Sequence, residues 1–73
     1  MGVRVSVRKL EREMARRGMH GRDLARRARL SEATVSTLRR GRPISTRTLR
    51  KIAVALARTP ELPAADLLLS DDD

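Results

Sequence analysis

The sequence predicts an all-α domain, and three observations carry that expectation. Apolar residues recur at spacings of three and four along most of the chain. Ala, Leu and Arg dominate the composition, and all are strong helix formers. Ser, Gly and Pro stand at the points where such helices would start and stop. The 73 residues suffice for one small domain. With no Phe, Trp, Tyr or Cys, everything buried must be Leu, Ile, Val, Met or Ala.

Taken in order, Val3-Arg4-Val5-Ser6-Val7 alternates apolar and polar residues and reads as an extended arm, residues 1–5, leading into the first helix. Ser6 can cap that helix, whose inner side is Val7, Leu10 and Met14. Gly18 and Gly21 bracket Met19-His20 as a break. Arg22 to Arg29 form a short second helix with Leu24, Ala25 and Ala28 inward, and Asp23 complements the dipole near its start. Leu30 is an apolar turn residue, and Ser31 is an N-cap for a third helix with Glu32 in its first turn. This helix runs to about Arg40 and ends at Gly41, with Pro43 preventing continuation. Ser45 or Thr46 caps the fourth helix, where Leu49, Ile52, Ala53 and Leu56 fall at i, i+3, i+4 and i+7. Thr59-Pro60 closes it, and Pro63 opens a last short turn carrying Leu67, Leu68 and Leu69. The folded unit is thus expected over residues 6–69, followed by an acidic tail, 70–73.

The charge is unevenly placed. Residues 61–73 hold five acids and no Lys or Arg, so residues 1–60 carry all 17 basic groups against four acids, a net +13. A unit this cationic repels itself, and a polyanion relieves the repulsion. Nucleic acid is the leading partner, and the preference for Arg over Lys suits phosphate and guanine.

Other classes fare badly. One His (His20), no Cys and scattered carboxylates leave no metal site, no cofactor site and no converging acid and base, so no enzyme is expected. The longest apolar runs fall far short of the ~20 residues that span a bilayer, and no secretory signal opens the chain, so a cytoplasmic protein is expected.

The second and third helices, residues 21–40, carry the function. Two short helices joined by a tight turn are the helix-turn-helix geometry, in which the second helix enters the major groove of DNA. On a helical wheel Val35 and Leu38 face inward. Opposite them lie Ala33, Ser36, Thr37 and Arg40, small or hydrogen-bonding residues with one cation at the far end. Small residues let the helix backbone approach base edges, and hydroxyls can bond bases or phosphates.

Leu24-Ala25, Ala28, Leu30-Ser31, Thr34-Val35-Ser36, Leu38 and Gly41, followed by Leu49-x-x-Ile52-Ala53-x-x-Leu56, resemble the phage-repressor and Cro-like helix-turn-helix domain over roughly residues 6 to 69. The resemblance implies a five-helix bundle of the lambda-repressor-like type that binds a palindromic DNA operator as a two-fold homodimer, in a bacterial or phage-encoded, nucleoid-associated regulator. It places base reading on Glu32, Ala33 and Thr37, with Ser36 close by. It places phosphate contacts on the Gly21 backbone, Arg40 and Arg42, and it sets Arg47 where some relatives present a cation to the minor groove. Two positions depart from the pattern. The family usually has Gln at Gly21, and its loss shifts phosphate binding to neighbours such as Arg22. It favours Gly at Arg29, which must adopt a left-handed conformation at a cost of about 1 kcal/mol or accept another turn.

Three binding functions follow: a sequence-specific, repressor-like regulator of transcription; an antitoxin that uses the same domain and binds a toxin through its C-terminal segment; or an RNA- or protein-interaction module. The missing aromatic stacking platform counts against RNA. Leu62, Leu67, Leu68 and Leu69 put four large apolar residues in the acidic C-terminal segment, more than one short turn can bury, and predict a weak dimer through residues 60–69.

Overall fold

A computed structural model describes residues 2–68, of Leu67 the backbone only, and among these residues it shows five helices and one two-stranded ribbon. The order is β1 (Gly2–Val3), α1 (Val7–Arg16), α2 (Gly21–Ala28), α3 (Glu32–Arg39), β2 (Ile44–Ser45), α4 (Thr46–Arg58) and α5 (Ala64–Leu68). Serine oxygens start three of the helices: Ser6, Ser31 and Ser45 accept the backbone N–H of Lys9, Thr34 and Thr48 at 3.3, 3.0 and 3.0 Å.

Three helices end alike, with a left-handed residue whose successor donates five residues back. Gly18 (φ 64°), Arg29 (φ 56°) and Gly41 (φ 79°) hold that position. Met19, Leu30 and Arg42 donate to the carbonyls of Met14, Ala25 and Thr37 at 2.9, 2.8 and 3.4 Å. At the first of these ends the geometry buries Met19, which the sequence placed only in a break. An apolar residue just past a left-handed glycine commonly packs back on its own helix, and that was the available signal.

Leu10, Met14, Met19, Leu24, Ala25, Ala28, Val35, Leu38, Ile44, Ile52 and Ala55 form the core. Two sequence expectations are corrected by it. Ala53 is exposed, and the buried row of α4 is instead Ile52, Ala55 and Thr59, with Leu49 and Leu56 partly covered. Both rows satisfy helical spacing, but α2 and β2 pack on the side carrying Ile52 and Ala55, and one alanine methyl has too little area to set the rotation. The N-terminal residues are not a separate arm. Gly2 pairs with Ser45 and Val3 with Ile44 in antiparallel register, and Val3 and Val5 pack against the core. A Cβ at Gly2 would lie 2.7 Å from Pro43 Cβ, so glycine permits the strand to close over the α3–α4 loop.

One arginine ties the first helix to the fourth. Arg17 Nε donates to the carbonyls of Leu56 and Thr59 at 3.0 and 2.9 Å, and its Nη1 to the Glu13 carbonyl and carboxylate at 2.9 and 2.8 Å. Its side chain is only 13% exposed. The bonds join the end of α1 to the end of α4 and thereby hold the frame on which α2 and α3 sit.

Candidate nucleic-acid interface

Val35 and Leu38, both buried, anchor α3 against α2, and the three-residue connection Arg29-Leu30-Ser31 sets the angle between the helices. Of the two outcomes expected for Arg29, it takes the left-handed conformation, φ 56° and ψ 47°. The remaining side chains of α3 divide between two clefts. Glu32, Ser36, Arg39 and Arg40 line one of about 610 Å³ against His20, Gly21 and Arg22 at the start of α2. Ala33, Thr34 and Thr37 line another of about 300 Å³ against Pro43, Ile44, Ser45 and Thr48. The first cleft carries cations and one carboxylate; the second offers hydroxyl groups and no charge. α3 therefore stands as a ridge with a charged flank and a neutral flank.

The start of α2 opens onto the charged cleft through His20, Gly21 and Arg22. The first amides of a helix have no partner in the helix itself and carry its positive dipole end. Asp23 takes one nearby donor, the His20 N–H, at 2.8 Å. That hydrogen bond, and secondarily the charges of Arg26, His20 and Arg22, holds the Asp23 carboxyl below its usual range.

A family model described as a Cro/C1-type helix-turn-helix DNA-binding domain matches residues 9–61. The chain belongs to that family. No curated protein and no solved structure matches it. The match spans α1 to α4 apart from the first two residues of α1, and so takes in α2, α3 and the turn between them in this Cro/C1-type domain.

Within the Cro/C1-type domain the expected site residues are only partly gathered. Glu32 and Ser36 share the charged cleft with Gly21, Arg22 and Arg40. Ala33 and Thr37 lie across the ridge in the neutral cleft. Arg42 is exposed in the α3–α4 loop. Arg47 is set apart, in a third cleft of about 610 Å³ between the end of α2 and the outer side of α4. Of the C-terminal leucines, Leu62 is 37% exposed and Leu68 81%, whereas the Leu67 side chain and Leu69 lie outside the described residues, as does the tail 70–73.

Sequence reasoning missed Arg39. Its Nε and Nη2 donate to Glu11 Oε1 and Oε2 at 2.7 and 3.2 Å, which swings the guanidinium across the mouth of the charged cleft. A Cβ at position 21 would lie 2.7 Å from Arg39 Nη1. Gly21 therefore makes room for a cation beside the helix start, at the position where the family usually places Gln. The signal was in the spacing, because Arg39 follows Ser36 by three and Glu32 by seven on the same stripe of α3.

Proposed function

We propose that this domain is a sequence-specific double-stranded DNA-binding regulator of transcription, of the repressor type, that lays α3 in the major groove. The observation that carries the reading is the ridge itself: an exposed helix of small and hydroxyl residues, flanked on one side by Arg22, Arg39 and Arg40. Base edges would meet Glu32, Ala33, Ser36 and Thr37. Phosphates would meet the Gly21 amide, Arg22, Arg40 and Arg42, and also Arg39, whereas Arg47 stands apart in the third cleft. The Arg39–Glu11 pair is about 40% exposed on both sides, so it is weak and can exchange its carboxylate for a phosphate oxygen.

Two copies paired through residues 60–69 would space their recognition helices about 34 Å apart and read a palindrome. The exposure of Leu68 also suits an antitoxin, in which a toxin covers the same segment. Selection from random duplexes tests the reading. A palindromic consensus is expected, with log K falling against log salt at about −3.6 per subunit for ~4 phosphate contacts. A flat salt response, or selection without a consensus, would refute it. Glu32→Gln should cost about 1–3 kcal/mol at one base pair and little elsewhere, measured by titrating single-base variants of the selected site.

A further inference from the structure

We infer that the third cleft, between the end of α2 and the outer side of α4, receives the acidic, leucine-bearing C-terminal segment of a second copy of this chain. The inference rests on the reading of residues 60–69 as the pairing segment, and it names the surface with which that segment pairs.

The cleft is lined by six cations: Arg27 and Arg29 from α2 and its cap, and Arg47, Arg50, Lys51 and Arg58 from α4. No carboxylate lines it. The ion pairs among the described residues engage Arg16, Arg17, Arg26 and Arg39, none of the six. Arg27 donates to Thr59 Oγ1 at 3.4 Å, which neutralises nothing. Arg47 stands three and four residues before Arg50 and Lys51, a spacing at which like charges on a helix destabilise it. A docked anion would relieve that repulsion.

The floor decides which anion. Val54, 46% exposed, and Ala28 line the same cleft. A sugar-phosphate backbone would meet the charges but gives Val54 only the small C–H edges of its deoxyribose. A segment bearing both carboxylates and leucines meets both. Residues 61–73 hold five acids and no base, and Leu68, 81% exposed, follows Asp66 in α5. Within one copy this segment starts elsewhere. The Leu62 N–H donates to the Arg16 carbonyl at 2.8 Å, the Leu62 side chain lies over Gly18 at the end of α1, and none of residues 61–68 lines the cleft. A second copy supplies the segment, and reciprocal exchange gives a closed two-fold pair.

The test is sedimentation equilibrium of the whole chain without DNA, over a concentration series at about 50 mM and about 0.5 M salt, which brackets weak and strong screening. Association should weaken at high salt. R50E/K51E should weaken it about tenfold, the effect of a few exposed charge pairs. E61R/D66R should do the same, and mixing the two reversed chains should restore association between them. Circular dichroism of each variant reports whether the helices remain. If L68D abolishes pairing while R50E/K51E leaves it unchanged, the segments pair with each other: the pairing reading stands and this inference falls. A chain that stays monomeric throughout overturns both. If R50E/K51E weakens only duplex binding, the cleft serves nucleic acid and the inference is again wrong.

Discussion

Two clefts of equal size, about 610 Å³ each, lie at opposite ends of α2, and their chemistry differs. At the start of α2 the cations share space with Glu32, and Arg39 is held by Glu11. At the end of α2 there are six cations around a valine and no acid. The first arrangement offers both donors and an acceptor, which suits reading a patterned surface. The second offers one sign of charge and an apolar floor, which suits covering. Arginine count alone does not assign a role; the partner of each arginine does.

The largest expected effect tests whether both clefts stand on one frame. Arg17→Met removes four hydrogen bonds at the junction of α1 and α4, leaving the Thr59 carbonyl without its Arg17 donor and the Leu56 carbonyl with only the Thr59 N–H. It should cost about 2–3 kcal/mol, a fall of roughly 10–20 °C in Tm for a chain of this size. Thermal unfolding measures this, and duplex binding and self-association should weaken together. Loss of one without the other would show that the clefts are independent.

Next in size is the exchange at the charged cleft. Arg39→Ala should lower affinity for all duplexes roughly eightfold at 0.1 M salt, the share of one phosphate contact, and make the salt slope shallower by about one unit. Glu11→Gln frees the same guanidinium and should act in the opposite direction. Fluorescence anisotropy titrations at several salt concentrations measure both. If neither changes the slope, Arg39 only braces α3 against α1.

A smaller effect is expected at the turn between the helices. Arg29 is the one non-glycine residue at positive φ among those described. Arg29→Gly should raise stability by up to about 1 kcal/mol, since a left-handed L-residue costs about that much. It also removes one cation from the α2–α4 cleft, so self-association should weaken slightly while Tm rises.

The smallest concerns acid. Hydrogen bonds from the His20 N–H to Asp23 and from Arg17 to Glu13 hold both carboxyls below their usual range. Such groups stabilise the fold when ionised. The contribution is present above their unfolded pKa, ~4, and is lost as pH falls through the lower folded values. Tm should stay level from about pH 7 to about 5 and drop below about pH 4. Hydrogen exchange should show the first turn of α2 opening in acid before the middle of α4, which carries no carboxylate, and Asp23→Asn should flatten that response.

Much of this molecule is determined by local chemistry and is readable in the chain. Ser6, Ser31 and Ser45 start helices, and Gly18 and Gly41 end them, because capping and left-handed endings involve neighbours within five residues. Val35 and Leu38 point inward because two apolar residues three apart fix one side of a short helix. Other features depend on groups far apart in sequence. Strand β1 forms only because Ile44 lies within reach of Val3, since the alternation of Val3 to Val7 announces an extended segment but not its partner. Arg17 meets Leu56 and Thr59 across 39 and 42 residues. Arg39 meets Glu11 across 28, and Arg47 turns away from α3 to join Arg27 and Arg29. An arginine side chain is long, flexible and always charged, so spacing says that it can reach a partner but not which one. Only packing of the helices, through the rotation of α4 on Ile52 and Ala55 and the angle set by the left-handed Arg29, decides which arginines hold the frame, which line the charged cleft and which, among the described residues, stand unpaired.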